Sequence, residues 1–358
     1  HHHVEILSNG PNTFVSRENR LFDHLVPAVT ESSIHVVAKE GFGTKLDYRP
    51  GRPRDLRLQV RGDPSAPGPV VKRRFLRVLS RGEPRAFTGG SGRLELANCL
   101  FDEGESLSAR VMVNRIWLQH FGRGLVTTPS DFGAQGARPS HPGLLDDLAA
   151  RFIENGWSLK WLHREIVTSA TYRQGSGHHP EMARRDPDNR WLWRMNRRRL
   201  EVEAWRDAML AVTGQLVREV GGAPLDLSRA DNYRRTIYGR IDRRDLEPVL
   251  QIHDFPDPDA HSPAREKTIT PLQQLFVLNG QFFRQQAEAL VTRLYREAPG
   301  SEEVRIGLAH ELLYGRPATG EEVDLARSFL EQEGASDHEN WKRYAQALFG
   351  SNEFLFVD

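Results

Sequence analysis

The sequence is poor in cysteine and has no long apolar runs. The single cysteine, Cys99, excludes an intramolecular disulfide, and a chain of 358 residues can bury enough surface to fold without disulfides or a metal. No apolar run approaches the roughly 18 residues that indicate a membrane-spanning helix. The formal net charge is only +1, which argues against a general binder of polyanions. The sequence therefore predicts no membrane span and no nucleic-acid partner.

Lysine is also scarce, and the basic residues are almost all arginine. Lysine occurs 6 times, so 43 of the 49 basic residues are arginine. This bias is typical of a GC-rich genome, and it also suits fork-shaped recognition of carboxylates, sulfates or phosphates. The run Arg194–Arg199 (RMNRRR) is basic, but Glu201 and Glu203 follow it directly. Internal ion pairs explain this run better than nucleic-acid binding.

The first 69 residues are rich in glycine and proline. Only Ile34–Ala38 (IHVVA) and Leu56–Val60 (LRLQV) have a strand pattern. The run Asp63–Pro69 (DPSAPGP) is typical of a linker. We therefore expect residues 1–69 to form an extended or β-like segment.

Helical patterns dominate the rest of the chain. The strongest indicates a helix–turn–helix pair, in which Ser140 caps one helix, Gly156 ends it and Ser158 caps the next. Further on, Thr270 and Pro271 begin a helix that is predicted to reach Tyr295, with Leu275 and Leu278 facing inward.

These patterns predict a mainly α fold. We expect an irregular multi-helix globular domain with a minor β-like N-terminal segment. The predicted parts are the segment at 1–69, a central helical core at 70–265 and a C-terminal helical bundle at 266–358.

Polar side chains fall on the apolar faces of two predicted helices. In the helix Ser106–Phe121, Asn114 and His120 lie within apolar stripes, where each needs a hydrogen-bond partner. In the helix predicted over Arg198–Leu216, Glu201 projects at the angle of the apolar face. A carboxylate there is either paired with an arginine or tuned as a general acid or base.

Two irregular loops supply further polar residues. One holds Asp131, and the segment His253–Pro263 holds Asp254 and His261. Aspartate and histidine at this density can ligate a divalent cation, although loops rich in aspartate and proline are more often simple turns. No metal motif of recognisable spacing is present, so the sequence predicts no metal and no cofactor.

Several longer stretches carry a family resemblance. Among them are Arg110–Phe121 (RVMVNRIWLQHF), Gly122–Asp131 (GRGLVTTPSD), Gly156–Gln174 (GWSLKWLHREIVTSATYRQ) and Asn196–Asp207 (NRRRLEVEAWRD). They resemble a domain of unknown function from large exported proteins of planctomycetes and related bacteria, in which it follows a cytochrome-c-like module. The resemblance covers about 54–358.

The resemblance implies a setting and no reaction. That setting is an exported protein that handles complex, often sulfated, polysaccharide, with a cytochrome-like module as a partner. The opening HHHVEILSNG has no signal-peptide pattern, so export is an expectation from the resemblance alone.

The first functional hypothesis is an exported domain that binds or processes complex polysaccharide. Tryptophan faces stack on sugar rings, and arginine forks hold sulfate or uronate groups. The predicted substrate-binding residues are Asn114, Arg115, Trp117, Trp191, Trp193, Arg198 and Arg265. A glycosidase would need two carboxyl groups at a defined separation. The candidate catalytic residues are His120, Asp131, Glu201 and Asp254.

Two other hypotheses stay open. A hydrolase of phosphate or sulfate esters would use metal or His/Asp catalysis, although no H-E-x-x-H, G-x-S-x-G or P-loop motif supports it. Its candidate ligands are His120, Asp131, His141, Asp254 and His261. A non-catalytic scaffold that docks the cytochrome-like module would have an exposed apolar patch in place of a polar pocket.

Overall fold

The N-terminal strands form one antiparallel sheet. The computed structural model describes residues 53–229, 231–331 and 336–357, and before residue 53 it gives the backbone of four strands. They pair in chain order and are β1 (Val4–Ser8), β2 (Phe14–Glu18), β3 (Ser33–Glu40) and β4 (Gly43–Arg49). The strand predicted at Ile34–Ala38 lies within β3 and is confirmed.

A short hairpin follows the sheet. Strand β5 (Leu56–Gln59) pairs antiparallel with β6 (Pro67–Val71), and the chain turns between them through a 3-10 turn at Val60–Gly62. The linker predicted over Asp63–Pro69 is therefore too long, because β6 begins at Pro67. Proline lacks an amide hydrogen and is tolerated at the first residue of a strand.

The remainder of the described chain is helical, which confirms the mainly α fold. It forms 13 α-helices, with one further pair of two-residue strands. In chain order the elements are α1 (Arg93–Phe101), α2 (Glu105–Phe121), α3 (Pro142–Glu154), α4 (Leu159–Thr168), α5 (Pro180–Arg185), β7 (Arg198–Arg199), α6 (Val202–Val212), α7 (Pro248–Ile252), α8 (Pro271–Asn279), α9 (Gln281–Glu297), α10 (Glu302–Tyr314), α11 (Gly320–Leu330), α12 (Asp337–Phe349), α13 (Asn352–Leu355) and β8 (Phe356–Val357).

The chain divides into two compact units. The first consists of residues 1–113 and 144–158, and the second of residues 114–143 and 159–358. The three-part division expected from the sequence, with boundaries at 69 and 265, remains a prediction.

The predicted helix–turn–helix pair is confirmed as α3 and α4. Within the first unit, α3 buries Leu145, Leu148, Ala149 and Phe152 at the spacing of one helical face. Beyond its end, Gly156 takes the left-handed conformation with φ +64°, which a residue without Cβ adopts readily.

The second unit has a large core that joins α6 to the C-terminal helices. Its largest members are Trp205 of α6, Phe283 of α9, and Trp341 and Phe349 of α12, each at most 2% exposed. Burial of such aromatic side chains supplies most of the favourable free energy of a core. Trp205 therefore anchors the first turn of α6 in this well-packed core.

The prediction of one continuous helix from Thr270 to Tyr295 is wrong, because the chain breaks at Gly280 into α8 and α9. Gly280 has extended backbone angles, φ −64° and ψ 134°, which turn the chain between the two helices. This change of direction leaves Leu275 and Leu278 exposed, at 53% and 57%, where the sequence favoured burial. A Cβ at Gly280 would lie 2.6 Å from the carbonyl oxygen of Phe276.

We expect Gly280→Ala to lower the free energy of unfolding by about 1–3 kcal/mol, because the new methyl group would overlap backbone that cannot move freely. Urea unfolding followed by circular dichroism measures the change. The matched control is Gly307→Ala inside α10, where no atom lies within 4 Å of the added carbon. That control is expected to gain about 0.5–1 kcal/mol from helix propensity. A loss in the control, or none in Gly280→Ala, would contradict this account of the break.

Candidate functional site

Polar residues from three parts of the second unit converge on a groove. A cavity of about 240 Å³ lies between the end of α2, strand β7 and the start of α6, and a smaller one of about 30 Å³ shares part of its wall. We call the two together the basic groove. Its charged lining residues are Arg198, Arg199, Glu201, Asp254, Arg265, Glu266 and Lys267.

Strand pairing positions the first of these residues. Arg198 and Arg199 of β7 pair with β8, and the amide of Leu200 donates to the carbonyl of Leu355 at 2.7 Å. The helix predicted from Arg198 therefore begins only at Val202. Residues paired in a ladder have extended backbone angles and cannot also form the first turn of a helix.

Glu201 consequently occupies a different place from the one predicted. It is the residue before α6, with extended angles of φ −69° and ψ 153°. Its side chain is 41% exposed and lines the groove, so the prediction that it lies on the apolar face of the helix is wrong. Its carboxylate accepts no hydrogen bond from the described residues, and its nearest cation is the Nε of Arg265 at 3.5 Å.

Arg265 is held in place by a second glutamate. Its two terminal nitrogens donate to the two oxygens of Glu203, both at 2.7 Å, and its guanidinium lies 5.1 Å from the ring centre of Phe255. The hydrogen bonds that Arg265 donates to Glu203 raise the pKa of Arg265. This bidentate geometry fixes both side chains. Arg265 therefore lines the groove in a fixed position, and its charge is already paired with Glu203.

Arg198 and Lys267 are cations without an acidic partner. Neither forms an ion pair with a carboxylate in the described part of the chain, and the Nε of Arg198 is buried with no hydrogen-bond acceptor. Arg198 donates instead to the carbonyl of Gln119. Burial lowers the pKa of Lys267, the charge of Arg198 lowers it further, and Glu201 opposes both. The groove therefore offers two positive charges to an incoming anion. No pattern in the sequence singles out Lys267.

Asp254 lines the smaller cavity but is already engaged. Its two oxygens accept from the amide and the hydroxyl of Thr268, at 2.8 and 2.7 Å, and its backbone takes a left-handed φ of +60°. These bonds fix the loop that carries Lys267. The observed contacts of Asp254 therefore stabilise the loop. Its catalytic role remains a prediction.

His253 begins the loop rich in aspartate and histidine that the sequence offers as a possible cation site, but it is not among the predicted site residues. It is 8% exposed and lines the smaller cavity. Its Nδ1 donates to the carbonyl of Val249 at 2.9 Å, so the proton of the neutral ring lies on Nδ1 and Nε2 is the acceptor. Nε2 is buried and has no hydrogen-bond partner among the residues that the structure describes. Burial lowers the pKa of His253, which favours this neutral form.

Two other predicted catalytic residues lie outside the groove lining. The Nε2 of His120 lies 2.8 Å from the Nδ1 of His163, and the ring of His120 meets Tyr172 edge-on. Burial is the largest cause that lowers the pKa of His120. Asp131 is exposed and accepts from the amide of Gly133 at 2.8 Å, an ordinary turn contact.

The predicted substrate-binding residues on α2 separate from one another. Asn114 is fully buried and exchanges hydrogen bonds with both backbone groups of Val126, at 3.0 and 2.8 Å. Arg115 is exposed and does not line the groove. Trp117 is 5% exposed, stacks on Phe121 and lines a different cavity.

The two other tryptophans are positioned by one buried aspartate. The carboxylate of Asp186 accepts from the backbone amide of Trp191 at 2.8 Å, and its carbonyl accepts from the indole of Trp193 at 2.9 Å. Trp191 is 60% exposed, and neither ring lines the groove. Only Arg198, Glu201, Asp254 and Arg265 of the predicted site residues meet in one place.

The candidate ligands of the alternative metal-dependent hydrolase are engaged separately. His141 contacts Ser140, and His261 contacts Ser130, at 2.9 and 2.7 Å. In the ranges that the structure describes, no three His, Cys, Asp or Glu side chains are grouped so that they could hold a metal ion.

The scaffold hypothesis predicted an exposed apolar patch, and the structure has both such a patch and a polar groove. At and before α8, four large apolar residues recur every third position and are all more than half exposed. They are Ile269, Leu272, Leu275 and Leu278.

Comparison with known protein families now places the chain. Residues 92–330 match the family described as PSD1, protein of unknown function (DUF1553). The chain belongs to this family. No curated protein and no solved structure matches it. The match confirms the resemblance as far as a domain of unknown function, and the family's description states no reaction, so function must be argued from the site.

The length and apolar character of the helices bear on whether they could span a membrane. None of those in the described residues is both long enough and apolar enough to cross a bilayer.

We expect the free energy of unfolding to rise with pH up to about 6.5 and then to level off. The folded state lowers the pKa of His253, and also of His120 and His310, in each case chiefly by burial. Between those lowered values and the usual 6.5, the unfolded chain binds more protons, so stability grows with pH there. Urea unfolding at a series of pH values between about 5 and 7.5 measures this dependence of the free energy of unfolding on pH.

His253→Gln should reduce this slope, by at most about 1.4 kcal/mol per pH unit for one proton. The control is His178→Gln at an exposed position. Equal slopes in wild type and His253→Gln would show that the folded state does not disfavour charging of His253.

Proposed function

We propose that the basic groove binds an acidic carbohydrate, with a sulfate or carboxylate group on Arg198 and Lys267. The observation that carries this proposal is that one groove holds Arg198 and Lys267, which pair with no carboxylate of the described residues, and Glu201, which accepts no hydrogen bond from them. Arg199 also lacks a carboxylate partner, but it donates to the carbonyl of Thr268 and to Gln273. The cations suit the acidic group, and Glu201 suits a sugar hydroxyl. A site for a simple anion would have no use for an exposed carboxylate beside it.

The surrounding contacts support this division of roles. The charge of Arg265 is paired with Glu203, so Arg265 lines the groove but does not bind the acidic group of the ligand. The pairing of β7 with β8 holds Arg198 in the wall before any ligand arrives. A positioned cation loses less conformational entropy on binding than a free side chain.

Processing of the carbohydrate would depend on Glu201. Glu201 and Glu266 both have exposed side chains and accept no hydrogen bond from the described residues, but Glu201 lines both cavities and Glu266 only the smaller one. Both oxygens of Asp254 are occupied by Thr268. We propose Glu201 as the acid or base if the bound chain is cleaved. A polysaccharide ligand agrees with the exported setting that the family resemblance implies.

We expect the double variant Arg198→Gln/Lys267→Gln to bind a sulfated galactan at least about 10-fold more weakly than wild type, because each lost charge removes a charge-assisted hydrogen bond. Calorimetry at fixed ionic strength measures the affinity, with the desulfated polymer in parallel. The matched control is Arg164→Gln, an exposed arginine of α4 outside the groove. Equal affinity for the two polymers, or an equal loss in the control, would refute the proposal.

Glu201→Gln separates binding from cleavage. It is expected to keep the affinity within about threefold, because a neutral amide still accepts a hydrogen bond. Release of reducing ends by wild type that disappears in this variant would assign Glu201 as the acid or base. Binding without any release by wild type would leave the chain as a carbohydrate-binding domain.

A further inference from the structure

A second cavity in the same unit is lined by three arginines. It measures about 210 Å³, and Arg123, Arg138 and Arg190 contribute to its wall. No aspartate or glutamate of the described residues is among those that line it. We call it the arginine pocket. Like charges gathered around one cavity repel each other, and an anion is the partner that relieves this.

The three guanidinium groups are available to a ligand. None forms an ion pair with a carboxylate in the described ranges, and all three side chains are exposed. Arg123 makes one long contact, 3.4 Å to the carbonyl of Asp188. For Arg190 the backbone amide is held by Asp186 at 2.9 Å, which fixes the position of the residue and leaves its side chain free.

The rest of the wall suits an oxyanion. Thr127 brings a hydroxyl group that can donate to an oxygen, and buried Trp117 lines another part of the wall. Guanidinium forks match the spacing of two oxygens on sulfate, phosphate or carboxylate.

The turn that carries Arg123 is set before binding. Asn114 holds both backbone groups of Val126, and a Cβ at Gly124 would lie 2.6 Å from the carbonyl oxygen of Val126 and 2.8 Å from the Oδ1 of Asn114. Only glycine fits there, so the chain passes close to Asn114 in one conformation. The buried asparagine thus positions the wall of the pocket and does not contact the ligand.

We propose that the arginine pocket is an oxyanion-binding site, separate from the basic groove, for a sulfate or phosphate group that is either free or an ester on a larger molecule. The site takes its charge from Arg123, Arg138 and Arg190.

The test uses potassium sulfate as the ligand, with potassium chloride at equal ionic strength as the reference. Arg138→Gln/Arg190→Gln should weaken sulfate binding at least about 10-fold by calorimetry, because two charge-assisted contacts are lost. Arg164→Gln, at an exposed arginine outside the pocket, should bind as wild type does. Sulfate binding no stronger than that of chloride, or binding unchanged in the double variant, would overturn the proposal.

Two further measurements identify the source of the oxyanion and keep this site distinct from the groove. A sulfated oligosaccharide that loses affinity in Arg138→Gln/Arg190→Gln would identify an ester as the ligand, whereas a loss confined to potassium sulfate would identify a free anion. A loss found only in Arg198→Gln/Lys267→Gln would support the groove and overturn the arginine pocket. Because all these arginines are exposed or half-buried, unchanged melting temperatures check that each variant folds.

Discussion

The pairing of two short strands, β7 and β8, is the interaction on which the candidate site depends. It brings the last residues of the chain against Arg198 and Arg199 and continues with the amide of Leu200 on the carbonyl of Leu355. Each backbone bond contributes only about 1 kcal/mol, but together they force an extended path up to the start of α6. Along this path Glu201 is exposed, and the side chain of Arg198 lines the groove.

The treatment of charge explains much of the arginine bias. Several arginines act as clamps on backbone carbonyls: Arg206, which is 2% exposed, donates to the carbonyls of Asn232 and Arg234, and Arg293 donates to that of Val212. A guanidinium can satisfy several acceptors at once, which a lysine ammonium does less well. Against this background Arg198, Lys267 and the three arginines of the arginine pocket stand out, because they face a cavity and have few protein acceptors.

Some of the site could be predicted from the sequence, and some could not. The buried, hydrogen-bonded state of Asn114 follows from its place in an apolar stripe, and its partner, Val126, is close in sequence. Arg198, Glu201, Asp254 and Arg265 were singled out by residue type and do share one groove. Lys267 carries no such signal, and His253 stands out only as part of a loop rich in aspartate and histidine. The importance of each arises from what surrounds it: a missing counter-ion for the lysine, and a carbonyl that fixes the tautomer for the histidine.

The sequence by itself determined the mainly α fold, the cap of α8 at Thr270 and the face that α3 buries, because these depend on residues within a few positions of each other. It also determined the family, since the matched segment extends over 92–330. Only the tertiary structure decided where α6 begins, which arginines are neutralised and which face a cavity. Those outcomes depend on contacts between residues as far apart as Arg198 and Val357, and no local pattern records such a contact.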